Sequence, residues 1–181
     1  MNRPDRPICE LVFDSKSPEA TCQIAKRLGE SLRGGEVLAL VGDLGSGKTT
    51  FTRGLCLGLG LDDARQVSSP TYVLEHLYAG RFCIYHYDAY RLVGPEEFVA
   101  LGFREHLSPQ SVLVIEWADK VLESLPPERL EIELSMQNDV PNVSEAPDSR
   151  RRIRFSGPRE VWGHRLGGIF PTKDSSFGLL G

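Results

Sequence analysis

The sequence predicts an α/β fold, with a central, mainly parallel sheet flanked by helices and with antiparallel hairpin elements. Three observations predict it. Val37 to Val41 and Val112 to Ile115 are unbroken apolar runs, as in strands buried on both faces of a parallel sheet. A glycine-rich turn, residues 42–49, directly follows the first run and matches G-x-x-x-x-G-K-[ST]. An amphipathic helix follows that turn, with Phe51, Leu55 and Leu59 at four-residue spacing.

The remaining elements follow in chain order. Ile8 to Phe13 is a short apolar run and reads as a strand. Ser17-Pro18-Glu19 opens a helix, because serine caps, proline suits the first helical position and glutamate suits the positive end of the dipole. Ile24, Leu28 and Leu32 form its apolar stripe, and Gly34-Gly35 ends it. After the helix Phe51 to Leu59, Tyr72 to Tyr78 and Phe82 to Tyr87 read as a hairpin around Ala79-Gly80-Arg81. Pro95-Glu96-Glu97 opens a helix to about Leu107, with a break at Gly102. Leu130 to Met136 and Ile153 to Phe155 alternate apolar and polar, and pair as an antiparallel edge across the polar loop Gln137 to Ser149. From Gly157 the pattern weakens to a short helix near Val161 to Leu166 and a loose tail. No linker divides the chain, so the expectation is one P-loop domain over residues 1–156 and a tail, 157–181, with no assigned role.

Composition narrows the function. A chain of 181 residues can bury a full core without a disulfide or metal staple. Twenty-one Lys and Arg against 25 Asp and Glu give a net charge of -4. That argues against holding nucleic acid mainly through phosphate electrostatics, and leaves docking onto an RNA-bound partner open. Cys9, Cys22, Cys56 and Cys83 form no C-x-x-C pair and fit a reducing compartment. There is no apolar run of about 18 residues and no apolar core in the polar start Met1 to Pro7. The expectation is a cytoplasmic protein with no membrane contact.

Each fixed residue of Gly42-Asp43-Leu44-Gly45-Ser46-Gly47-Lys48-Thr49 has a physical task. The glycines let the backbone turn so that N–H groups converge on phosphate oxygens. Lys48 brings a cation to the β- and γ-phosphates, and Thr49 places a hydroxyl for Mg²⁺. The helix beyond adds its positive end. The pattern therefore predicts nucleotide binding through a P-loop.

A second acidic group is needed near the metal, and Val112-Leu113-Val114-Ile115-Glu116 ends a buried strand in a carboxylate. Trp117 either packs or lines the nucleotide site. Asp88, after Phe82 to Tyr87, is placed to orient water or a metal-bound water, or else caps a turn. His86 reads as a packed strand histidine. Arg91 pairs either with phosphate or with a carboxylate. Ser68-Ser69-Pro70-Thr71-Tyr72 is a short polar loop whose Thr71 can sense a γ-phosphate, as switch loops do. Arg150-Arg151-Arg152 with Arg154 reads as a solvated edge strand, with RNA or an acidic partner as the alternative. A regulatory GTPase would need D-x-x-G and N-K-x-D; Asp88 is followed by Arg91 at the glycine position, and no N-K-x-D or L-S-G-G-Q occurs. ATP is thereby favoured over GTP.

Four segments in order and spacing resemble the TsaE (YjeE) family of ATPases of tRNA threonylcarbamoyladenosine (t6A) biosynthesis. They are Gly42 to Phe51, Ser69-Pro70-Thr71-Tyr72, Tyr85-His86-Tyr87-Asp88-Ala89-Tyr90-Arg91-Leu92, and Ile115-Glu116-Trp117. The resemblance covers about Ser17 to Met136. It implies a P-loop nucleoside triphosphate hydrolase fold and ATP and Mg²⁺ as cofactors. It also implies hydrolysis that resets a TsaD–TsaB heterodimer, which modifies the adenosine next to the anticodon in tRNAs reading codons that begin with A. Contact with tRNA would run through that complex.

Carried over, the resemblance assigns the catalytic roles to Lys48, Asp88 and Glu116, and the metal to Thr49 and Glu116. It assigns nucleotide contacts to residues 42–50, among them Gly42, Asp43, Leu44, Gly45, Ser46, Gly47 and Thr50, and to Thr71, Trp117 and Thr21. Ser46 stands where the family often has alanine. A small-molecule kinase with the same P-loop, or a nucleotide-gated scaffold with little turnover, are the competing readings.

Overall fold

The computed structural model describes residues 6–137 and 150–171. A seven-stranded sheet runs through it in the order β1-β7-β6-β2-β5-β4-β3. The strands are β1 Ile8–Ser15, β2 Val37–Val41, β3 Glu75–Ala79, β4 Cys83–Asp88, β5 Ser111–Glu116, β6 Leu130–Met136 and β7 Arg151–Pro158. β6, β2, β5 and β4 are parallel; β3, β7 and β1 each join antiparallel. The helices are α1 Pro18–Ser31, α2 Lys48–Gly58, α3 Pro95–Ala100 and α4 Arg159–Ile169. This is the P-loop α/β arrangement that the sequence predicts. Among the described residues no helix is long and apolar enough to cross a membrane.

The unbroken apolar strands serve two cores, because successive side chains leave opposite faces. Leu38, Leu40, Val112 and Val114 enter one core with Leu28 of α1, Phe51 and Leu55 of α2 and Trp162 and Leu166 of α4. Val37, Ala39, Leu113 and Ile115 enter the other with Phe98 of α3, Phe103 and Val121. α1 starts as its sequence requires, with Ala20 N–H donating to the Ser17 hydroxyl at 3.2 Å and proline in the first turn. Arg81 closes its far end by donating to the carbonyls of Gly29 and Leu32, each at 3.0 Å. α1 and α2 pack at backbone distance: a Cβ on Gly54 would stand 2.2 Å from the Cys22 carbonyl oxygen.

Several elements differ from the sequence-based expectation. The first strand of the hairpin begins at Glu75, not Tyr72. Val73 and Leu74 N–H both donate to the Pro70 carbonyl, at 3.1 and 2.7 Å, and Leu74 has φ +68°, so residues 72–74 form a turn. α2 begins at Lys48, three residues before its apolar stripe. The break at Gly102 is present, with φ +79°, and leaves α3 only six residues long.

β6 and β7 do pair antiparallel, but β7 is no edge. β1 covers it with Leu11 opposite Phe155, so the arginine cluster lies on an interior strand. Its outward arginines meet acids on the flanking strands, Arg152 on Asp14 at 3.2 Å and Arg154 on Glu133 and Glu10. The short helix expected near Val161 to Leu166 is present as α4, longer at both ends; it follows directly on β7 and buries Trp162, Leu166 and the adjoining Phe170, so the chain is packed rather than loose as far as that residue. The expected polar loop falls almost wholly on 138–149, and the end of the tail on 172–181; both lie outside the described residues.

Candidate nucleotide site

The site lies at the carboxyl ends of three adjacent strands. β2 runs into the glycine-rich turn, β5 ends at Glu116 and β4 ends at Asp88. Leu40 and Glu116 are register partners, as are Asp88 and Glu116. The groups that the sequence singles out separately therefore meet because β2, β5 and β4 are neighbours.

The turn needs its glycines for different reasons. Gly42 has φ +144°, and a Cβ there would stand 2.2 Å from the Leu134 carbonyl oxygen of β6. Gly47 has φ +104° with nothing nearer than 3.8 Å, so there only backbone conformation excludes other residues. Gly47 is also the N-cap of α2 and offers no side chain to the first-turn N–H groups. Those N–H groups are the donors that a phosphate uses at a helix start. Ser46 adds a buried hydroxyl with no hydrogen-bond partner among the described residues.

Lys48 is buried and its ammonium donates to the carbonyls of Gly42 at 2.6 Å and Asp43 at 2.9 Å. The same ammonium lies 3.8 Å from the Trp117 ring centroid, a cation–π contact. Burial pushes its pKa below the ordinary lysine value, while Glu116, Asp88, Asp119 and Asp43 pull it back. Trp117 reaches this position because its φ of +56° turns the chain sharply at the end of β5.

Glu116 is 2% exposed and has three polar side chains within hydrogen-bond distance. Its Oε2 accepts from the Thr49 hydroxyl at 2.9 Å. Its Oε1 pairs with His86 Nε2 at 2.9 Å and lies 3.2 Å from the Thr52 hydroxyl, whose one proton is shared with the Lys48 carbonyl. A threonine hydroxyl beside a carboxylate is a hard oxygen pair of the kind that suits Mg²⁺ together with phosphate oxygens. The helix-start donors and this pair fit a Mg²⁺–nucleotide.

Asp88 is equally buried. Its Oδ2 accepts from the hydroxyls of Ser69 and of Thr71, the latter at 2.7 Å, and its Oδ1 accepts from Tyr90 N–H at 2.9 Å. The loop carrying Ser69 and Thr71 is thus latched onto Asp88. Arg91 stacks over the Tyr72 ring at 4.3 Å.

Thr21 and Thr50 lie one step away. With Pro18, Gly47 and Arg151 they line a cavity of about 20 Å³. Thr21 is buried, with its hydroxyl bonded to Ser15 at 2.8 Å. Asp43, Leu44 and Gly45 are exposed on the turn. A larger cavity of about 850 Å³, lined by Phe103, Leu125 and Arg129 among others, lies away from all of these residues.

Sequence reasoning missed three contributors. His86 was expected to be only a packed strand residue, yet it bonds Glu116. Its place two residues before Asp88 on one strand was the available signal. Thr52 lies one helical turn beyond Lys48, whose carbonyl accepts its hydroxyl at 3.0 Å. Arg151 donates to the Gly45 carbonyl at 3.1 Å, and no local pattern announces that contact.

Comparisons with known proteins find relatives over most of the chain. The sequence profile of the family "Threonylcarbamoyl adenosine biosynthesis protein TsaE" matches residues 15–144. The chain is 40% identical over 148 residues to the tRNA threonylcarbamoyladenosine biosynthesis protein TsaE of Bacillus subtilis, covering 81% of this chain and 85% of that one. It is 38% identical over 125 residues to the protein of the same name from Treponema pallidum, covering 69% and 91%. The crystal structure of Bacillus subtilis YdiB superposes with a TM-score of 0.67 at 31% identity, covering 90% of this chain and 95% of that one.

Proposed function

The chain belongs to the TsaE family, whose members take part in tRNA threonylcarbamoyladenosine biosynthesis, and we propose that it serves there as a Mg²⁺-dependent ATPase. Its hydrolysis of ATP resets a TsaD–TsaB transferase complex in the cytoplasm, and tRNA is met through that complex. The observation that carries this reading is the convergence of Lys48, Thr49, Glu116 and Asp88 at the ends of three neighbouring strands.

In this reading the amides of residues 42–50 and the Lys48 ammonium hold the β- and γ-phosphates. Lys48 must then release the carbonyls of Gly42 and Asp43, which it now satisfies at 2.6 and 2.9 Å. Thr49 and Glu116 would hold Mg²⁺, which would supply positive charge to offset the charge that develops on the phosphate. Asp88 orients a water in line with the γ-phosphorus. The water oxygen bonds to phosphorus, the bond to the β–γ bridging oxygen breaks, ADP leaves, and the water proton passes to solvent or carboxylate.

The latch supports a role for a partner. Asp88 already receives Ser69, Thr71 and the Tyr90 amide, so it has little capacity left for a water while the loop stays closed. Opening that loop is the step a partner can control. The partner has a surface to grip: Leu44 on the turn is 77% exposed, Tyr72 on the loop 83% and Val93 beyond β4 90%. Exposed apolar residues grouped at one end of a sheet support a protein-binding face there.

The test uses ATP labelled at the γ-phosphate, with Mg²⁺, with and without the TsaD–TsaB pair. Free labelled phosphate, released faster with the pair, is the expected result. Label on a metabolite instead would establish a kinase, and bound ATP with no label moved would establish a scaffold.

A further inference from the structure

We propose that His86 is a positioning residue that fixes the Glu116 carboxylate, so that Oε2 alone faces the Thr49 side where a divalent cation would sit. This rests on the reading of the site as a Mg²⁺–nucleotide site.

His86 has no exposure to solvent. Its Nε2 lies 2.9 Å from Glu116 Oε1, and its Nδ1 is buried with no partner among the described residues. A packing role alone is poorly served by such a ring. An unpaired buried nitrogen costs free energy that a leucine or phenylalanine would not. The bond to Glu116 is what the imidazole supplies that an apolar side chain cannot.

The geometry shows what that bond does. His86 and Asp88 leave β4 on the same face, and Val114 and Glu116 are their register partners on β5. His86 therefore lies one pleat below the chemistry and reaches Glu116 from beneath. Oε1 faces His86, with Thr52 sharing its proton between Oε1 and the Lys48 carbonyl, while Oε2 takes only Thr49. In the tautomer that donates to Glu116, Nδ1 is a bare lone pair, which is the cheaper nitrogen to leave unpaired. A carboxylate held at Oε1 by His86 and at Oε2 by Thr49 cannot swing, so Oε2 keeps a fixed direction. Partners one shell out from a metal ligand are worth roughly 10–100-fold in metal affinity.

The experiment titrates Mn²⁺ by the loss of its free electron paramagnetic resonance signal, with a non-hydrolysable ATP analogue present. It compares the parent, His86→Gln and His86→Met, with thermal melts to confirm folding. Gln places an amide N–H near the position of Nε2; Met has similar length and no donor. The expected result is that His86→Gln binds Mn²⁺ within about twofold of the parent, while His86→Met is weakened about tenfold or more. Equal affinity in both variants, or an equal loss in both, overturns the positioning role. A parent that takes up no Mn²⁺ with the nucleotide overturns the metal–nucleotide reading itself. Should the Met variant not fold, His86→Asn takes its place, because its amide reaches only the Nδ1 position.

Discussion

Replacing Gly54 by alanine tests the close approach of α1 and α2. Two effects oppose each other. Alanine is the better helix former by about 1 kcal/mol. Its Cβ, however, would stand 2.2 Å from the Cys22 carbonyl oxygen and 2.8 Å from two further backbone atoms of that residue. Ordinary contact needs about 3.5 Å, so α1 would have to withdraw by about 1 Å. Overpacking costs about 1–3 kcal/mol, and a clash against backbone belongs at the upper end. The net expectation is a loss of about 2 kcal/mol, or roughly 4–8 °C in Tm for a domain of this size. Gly167→Ala in α4 is the control: no atom lies within 4 Å of its Cβ position. It should stabilise by about 0.5–1 kcal/mol. Urea and thermal unfolding read both. Because α2 also carries Lys48 and Thr49, Gly54→Ala should lose nucleotide affinity and Gly167→Ala should not. If the two substitutions shift stability in the same direction, the account of this helix pair is wrong.

Three further outcomes follow from the site. Lys48→Ala should raise the nucleotide Kd about 100-fold, the worth of roughly 3 kcal/mol of charge-assisted contact, as measured by calorimetry. Asp88→Asn and Glu116→Gln should keep nucleotide affinity within about tenfold and lower turnover by about 10²-fold or more; parental turnover in either removes that residue's assigned role. Finally, burial holds the free Lys48 below the ordinary lysine value of 10.5, and a bound phosphate would draw it back up. Nucleotide binding should therefore take up a proton at alkaline pH, and affinity should fall as pH rises through a range beginning below 10.5. Calorimetry in buffers of different ionisation enthalpy would detect that uptake, and its absence would argue against an ammonium–phosphate contact.

What was legible in the sequence was local. The run Val112 to Ile115 ending in Glu116, and the glycine spacing of residues 42–49, each carry their meaning within ten residues. The start of α2 was missed because its first turn is polar: Lys48, Thr49 and Thr50 face the site, while Phe51 N–H donating to the Gly47 carbonyl at 2.8 Å already closes the helix. Tyr72-Val73 mimics a strand in composition, but the Pro70 carbonyl claims the amides that a ladder would need. The contacts of His86 with Glu116 and of Arg151 with Gly45 span 30 and 106 residues. They exist only because the sheet order sets β4 beside β5 and brings the start of β7 to the turn after β2, and neither adjacency is written in a local pattern.

The stacking of Lys48 on Trp117 has an optical side. The chain has two tryptophans. Trp117 carries an ammonium 3.8 Å from its ring, whereas Trp162 is sealed in the core with its N–H on the Glu128 carbonyl at 2.8 Å. An ammonium that leaves the indole for a phosphate changes the electric field across that chromophore and hence its emission. The second indole has a cation of its own, the Arg165 guanidinium 4.4 Å from its ring centroid, but it is not in contact with the residues of the candidate site. A phosphate that draws Lys48 off Trp117 should therefore register as a change in the emission of unlabelled protein, and unchanged emission on nucleotide addition would count against that displacement.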